Sequence, residues 1–195
     1  MREMSIKTPK GNIFGMAAGP DDGPVVLGIH GFSQRNGWHT WEPMLAPLGA
    51  AGYRTISLDM PGWGKSPKWE RTAGKSAIVA ILDALDCEQA TALMGKSWGG
   101  GVSFDFALNY PERVGHLILT APAFRGKPAD LERLTQPVLL AWAEDDEVIP
   151  ISFGQTLVPH IPNCQFEIYP QGGHEAAQHN AADFAPKAVK FLKKI

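Results

Sequence analysis

Met4-Ser5-Ile6-Lys7 alternates apolar with polar residues, and Pro9-Lys10-Gly11-Asn12 separates it from the apolar-rich stretch Ile13–Ala18. Two such stretches divided by turn residues predict two short strands over Met4–Gly19 joined at a tight turn. After Gly19-Pro20-Asp21-Asp22-Gly23-Pro24 the pattern changes to an unbroken apolar run, Val25–Ile29, as expected of a strand buried on both faces. Trp41–Ala51 carries helical spacing and is followed by Gly52, the residue type that ends helices. The alternation then continues. Strands are predicted over Tyr53–Leu58, Ala90–Met94, His116–Thr120, Pro137–Ala143 and Gln165–Tyr169, and helices over Ala77–Leu85, Val102–Leu108 and Ala182–Leu192. Strands that alternate with helices predict an α/β protein. Its sheet is mostly parallel and twisted, with helices on both faces.

No repeat, low-complexity tract or linker interrupts this pattern, so residues 1–195 are expected to form one domain. Hydrophobic residues make up 44% of the chain and charged residues 19%, with a net charge of −2. That balance argues against a nucleic-acid partner, which demands a basic surface. No run approaches the roughly 18 apolar residues of a membrane span. The N-terminus lacks the apolar stretch of a secretory signal, so a cytoplasmic protein is expected. Cys87 and Cys164 match no metal or redox spacing and are expected to be buried free thiols. Oligomeric state is not legible.

One pentapeptide carries chemistry. Gly95-Lys96-Ser97-Trp98-Gly99 fits G-x-S-x-G and lies directly between a predicted strand and a predicted helix. A turn that sharp holds the serine in strained backbone, leaves its hydroxyl exposed above the sheet, and needs small neighbours. Gly64-Lys65-Ser66 and Gly95-Lys96-Ser97 also resemble the end of a phosphate-binding loop. That loop needs a glycine five positions before its second glycine, where this chain has Asp59 and Ala90, so nucleotide binding is not expected.

A serine hydroxyl is a weak nucleophile until a base accepts its proton. Of six histidines, His174 follows the last strand through Gln171-Gly172-Gly173, at the sheet edge where active groups collect in open α/β folds. The base needs an acid to orient it. Glu144-Asp145-Asp146-Glu147 follows another strand; Val148-Ile149-Pro150 anchors that loop and favours Asp146, with Asp145 as the alternative. The oxyanion donors are expected to be the backbone N–H groups of Trp98, at the start of a helix, and Phe32, in His30-Gly31-Phe32. His30 itself reads as a brace for its loop.

Five segments together give a family likeness: His30-Gly31-Phe32, Asp59–Ser66, Gly95–Gly100, Trp142–Pro150 and Gly172-Gly173-His174. On these the chain resembles the α/β-hydrolase superfamily over nearly its whole length. The resemblance implies a Ser97-Asp146-His174 triad, structural roles for Asp59 and Ser66, and no metal or organic cofactor. Many relatives insert a helical cap before the acid's strand, but Pro122–Gln136 is too short for one. The chain therefore looks like the small capless branch of esterase-like proteins, with Lys96 at an unusual position beside the nucleophile. A salt bridge from Lys96 to a nearby acid is expected. Loop residues Phe32, Trp38, Trp98, Phe124, Val148 and Ile149 are expected to wall an open pocket suited to small acyl esters. Two other readings stand beside this one: a binding or sensor protein on a hydrolase scaffold, and a non-hydrolytic triad enzyme of haloperoxidase or lyase type.

Overall fold

The chain opens with an antiparallel pair, β1 (Arg2–Thr8) and β2 (Gly11–Ala18), turning at Pro9 and Lys10 as the turn residues predict. β3 (Val25–Ile29) is wholly buried, and α1 (Glu42–Ala50) follows it. Gly52, at φ +97°, lets the Tyr53 N–H reach back to the Leu48 carbonyl and close that helix. The chain continues through β4 (Arg54–Leu58), α2 (Ala73–Ala84), β5 (Ala90–Lys96) and α3 (Trp98–Asn109). After β6 (Val114–Thr120) come β7 (Val138–Ala143), α4 (Ile151–Leu157), β8 (Cys164–Tyr169), α5 (Ala176–His179) and α6 (Ala181–Leu192). This computed structural model describes residues 1–69 and 73–193.

The eight strands form one sheet in the order β1-β2-β4-β3-β5-β6-β7-β8. β2 runs antiparallel to β4, and every pair from β4 to β8 is parallel. Alternate residues of each strand feed opposite faces. Leu93, Leu117, Leu119, Leu140 and Trp142 pack with Ile78 and Ile81 of α2, Phe104 and Phe106 of α3 and Leu157 of α4. Ala92, Met94, Ile118, Leu139 and Ala141 face the other way, onto Met44 and Leu48 of α1 and Phe184, Ala188 and Phe191 of α6. Helices therefore cover both faces, in agreement with the sequence reading. Among the described residues no helix is long and apolar enough to cross a membrane.

Two differences from the sequence reading have physical causes. α3 begins at Trp98, four residues before the apolar period becomes visible, because Gly99-Gly100-Gly101 disfavour a helix by propensity while the packing requires them. A Cβ on Gly95 would lie 2.6 Å from the Gly99 carbonyl oxygen, and one on Gly99 2.4 Å from the Ile29 carbonyl oxygen. α4 was not predicted at all. Its seven residues hold Gly154 and three polar positions, which blur the period, yet Gly154 lies so close to the Trp142 ring that a Cβ would sit 2.5 Å from it. Only residues 121–137 join β6 to β7, and they contain one short 3-10 helix, Pro128–Arg133, so no cap is inserted there.

Candidate active site

Parallel neighbours β5, β6, β7 and β8 all end on one edge of the sheet, and their connections gather the candidate residues. Ser97 follows β5 with φ 53° and ψ −118°, a conformation that only glycine adopts freely. Three backbone hydrogen bonds hold it there: its N–H donates to Thr120 O, and its carbonyl accepts from Gly101 and Ala123 N–H. Its hydroxyl has no hydrogen-bond partner among the described residues, and the residue is half-buried.

Asp146, three residues past β7, has a fully buried side chain. One carboxylate oxygen accepts the Val148 and Ile149 N–H groups, both at 2.9 Å, and the other accepts Nδ1 of His174 at 2.9 Å. Because a carboxylate can only accept, Nδ1 carries a ring proton, and in the neutral imidazole Nε2 therefore holds the lone pair. Nε2 is buried and has no partner among the described residues. It makes no hydrogen bond to Ser97 in this structure. Such contacts tighten when substrate fills the gap.

Asp145 has a different task. Its carboxylate accepts the N–H groups of Gly172 at 3.3 Å and Gly173 at 2.7 Å, so it grips the backbone just ahead of the histidine. The turn Gly173–Glu175 consequently packs over β7, although the chain left the sheet at β8. Lys96, the last residue of β5, is buried and paired with Glu175. Burial alone would raise the Glu175 carboxyl. The hydrogen bond and charge of Lys96 outweigh it, helped by His179 and His174, and hold the carboxyl below its ordinary value.

The backbone N–H groups of Phe32 and Trp98, the expected oxyanion donors, donate to no protein acceptor among the described residues. The loop carrying Phe32 is braced from two sides. His30 is fully buried: Met60 N–H donates to its Nε2 at 3.0 Å, so its Nδ1 donates to Gly31 O at 2.7 Å. Burial lowers the pKa of His30, against the opposing pull of the Gly31 carbonyl and Asp59. The ring is a neutral strut with both nitrogens engaged. Trp63 Nε1 donates to the Phe32 and Ser33 carbonyls, both at 3.2 Å. Asp59 accepts the N–H groups of Trp38 and Lys65, and the Ser66 hydroxyl links Asp59 O to Phe14 N–H, so both shape the neighbouring loop.

Trp63 and Trp98 stack at 5.1 Å between centroids, with Phe32 edge-on to both. This aromatic ridge beside Ser97 separates two clefts. One, of about 570 Å³, lies along α3 and the 121–137 connection and is lined by Phe32, Trp98, Val102, Phe124, Arg125 and Arg133 among others. The other, of about 450 Å³, is lined by Phe32, Met60, Trp63, Lys68, Trp69 and Trp98 among others. Phe32 and Trp98 line both clefts and Phe124 lines the first. Trp38, Val148 and Ile149, expected as pocket walls, line neither cleft. The Trp38 backbone is tied to Asp59 and Ser57 and its side chain is half-buried; Val148 is 68% exposed; Ile149 packs on the core, where its carbonyl accepts Trp142 Nε1. Trp63 and Trp69 were missed. Trp63 lies in the Asp59–Ser66 segment that carries the family likeness, but nothing in the sequence places either tryptophan against a cleft.

The alpha/beta hydrolase fold family matches residues 24–135. A 2-hydroxy-6-oxononadienedioate/2-hydroxy-6-oxononatrienedioate hydrolase of Cupriavidus pinatubonensis is 26% identical, covering 86% of each chain. That alignment spans 250 positions, whereas 86% of this chain is about 168 residues. The relative therefore carries about 80 positions with no counterpart here. A CIB-like hydrolase from Thermoplasma acidophilum superimposes with a TM-score of 0.90 at 25% identity, covering 100% of this chain and 98% of that one. Naproxen esterase from Bacillus subtilis superimposes at 0.86 with 19% identity, covering 98% and 91%.

Proposed function

The chain belongs to the α/β-hydrolase fold family, and on that footing we propose that it is a serine hydrolase that cleaves small acyl esters through Ser97, His174 and Asp146. The observation that carries this reading is the state of His174. Its Nδ1–H is fixed by a buried carboxylate, while its Nε2 is buried, unpartnered and on the same sheet edge as a strained serine. An imidazole kept in that tautomer is a base waiting for a proton.

In the proposed cycle the Ser97 hydroxyl attacks the ester carbonyl carbon as Nε2 takes its proton. The C–O bond to the leaving alcohol then breaks, and the imidazolium returns the proton to that alkoxide. Phe32 and Trp98 N–H groups hold the negative oxygen of each tetrahedral intermediate, a contribution of about 3 kcal/mol per donor in enzymes of this type. Water, deprotonated by Nε2, releases the acid and restores Ser97. Every proton is accounted for by His174, so no step requires a metal or an organic cofactor.

A second reading has its own support. By its name the Cupriavidus relative hydrolyses a 2-hydroxy-6-oxo dienedioate or trienedioate, and the 450 Å³ cleft here combines tryptophans with Lys68, groups that fit a planar anion. The ester reading is favoured because the β6–β7 connection holds only one short 3-10 helix and no cap over the site. Fluorophosphonate labelling with mapping of the modified residue, followed by turnover of p-nitrophenyl acetate and of a dienoate substrate, tests both. Ser97 should be labelled, the acetate should turn over, and Ser97→Ala should abolish both. Labelling elsewhere, or acetate turnover that survives in Ser97→Ala, would refute the proposal, and preference for the dienoate would select the second reading.

A further inference from the structure

We propose that Lys96 is a positioning residue for the His174 base: through its ion pair with Glu175 it draws the His174 turn across the sheet to the nucleophile and neutralises the carboxylate next to the imidazole. The inference rests on the assignment of His174 as the base.

The need for such a device follows from the strand order. Ser97 leaves β5 and His174 leaves β8, three strand spacings away. At about 4.8 Å per spacing that is roughly 15 Å, more than an imidazole side chain spans. The chain must therefore be pulled back over β7 and β6. Asp145 makes the first connection, from the end of β7 to the N–H groups of Gly172 and Gly173. Lys96 makes the second, from β5 itself. Its parity in β5 matches Ala92 and Met94, so it projects on the face covered by α1, α5 and α6, where Glu175 begins α5. The two residues are 79 positions apart in sequence, and each neighbours a proposed reacting group, Ser97 or His174.

A lysine whose side chain is 6% exposed carries a cost in desolvation unless its charge is matched. The match is Glu175, and it works in both directions. Without the ammonium, Glu175 would face the imidazole as an uncompensated anion and favour the charged, non-basic form of His174. The other ionisable groups around His174 are already engaged. Asp146 accepts Nδ1–H, Asp145 accepts the two glycine N–H groups, and His179 Nε2 lies 3.5 Å from the second Glu175 oxygen. The pair thus sets the position of the base and limits the field it feels.

The His174 Cε1–H proton resonance, followed against pH, reads this without requiring turnover, and the acid limb of p-nitrophenyl acetate acylation reads it through activity. In Lys96→Met both should move to higher pH by about one unit, and in Lys96→Met/Glu175→Gln both should return toward wild type. If Lys96→Met is too unstable to titrate, Glu175→Gln alone carries the test. It keeps a hydrogen-bond partner for Lys96, and both midpoints should move to lower pH. Midpoints unmoved in Lys96→Met, a double variant as displaced as the single one, or an unmoved Glu175→Gln would overturn the inference. A purely structural ion pair predicts lost stability with unmoved midpoints. Failure of the function is separately visible: wild-type protein would then resist fluorophosphonate while the resonance shift still reports on the pair.

Discussion

Replacing Ser97 by glycine should make the protein more stable while abolishing its activity. Ser97 sits at φ 53° and ψ −118°, and the three backbone hydrogen bonds around it leave the chain no relaxed alternative. A residue with a Cβ costs about 1–3 kcal/mol in such a conformation. Glycine removes that cost but loosens the unfolded chain, which returns about 0.5–1 kcal/mol. The net gain is about 1 kcal/mol, or roughly 2–4 °C in Tm for a chain of this length. The proper reference is Ser97→Ala, which lacks the hydroxyl but keeps the Cβ. Urea and thermal unfolding of the two inactive variants, followed by circular dichroism, isolate the backbone contribution. A Tm of Ser97→Gly equal to or below that of Ser97→Ala would refute the idea that strain is stored at the elbow.

Two further expectations separate residues that the sequence leaves close together. Asp146→Asn should lower kcat about a thousandfold with little change in folding, because the amide keeps one oxygen for Val148 and Ile149 yet no longer accepts Nδ1–H, whereas Asp145→Ala should cost about ten- to hundredfold by freeing the glycine turn. Steady-state kinetics with an activated ester would decide, and equal losses would contradict the separate roles. His30 gives a pH dependence. Its folded pKa lies below the ordinary 6.5, so the unfolded chain takes up the proton first, and stability present above about pH 6.5 is lost as the pH falls toward the folded value. Urea unfolding between pH 7.5 and 5 should show that slope, and His30→Gln should flatten it even though its stability starts lower.

The parts of this molecule that could be read in advance are those whose cause is local. Val25–Ile29 reads as a buried strand because burial on both faces requires an apolar run. Ser97 announced itself because the elbow needs glycines within a few positions, and a Cβ on Gly95 or Gly99 would indeed strike backbone oxygen. The anchor Val148-Ile149-Pro150 favours Asp146 over Asp145 as the acid, yet both are aspartates on one loop. Only the fold shows one buried against the imidazole and the other holding glycine N–H groups. Lys96 was expected to find an acid, but Glu175 had no local mark, since the pairing depends on how far a loop must travel across the sheet. α4 escaped because Gly154 answers to the Trp142 ring rather than to helix propensity. Trp38, Val148 and Ile149 were placed by proximity in sequence to pocket-forming loops, a criterion blind to which way a tethered backbone turns its side chain.

The connection from β6 to β7 leaves the sheet at Ala121, on the edge where Ser97 stands, before crossing to the start of β7 at Val138 on the opposite edge, and its first residues already lock the elbow through the Ala123 N–H. Chain added beyond Ala123 would therefore hang over the reaction centre while its foundations stayed fixed. Selection acting on that one stretch can redraw which molecules gain entry, and how long they linger, without moving an atom of the chemistry below.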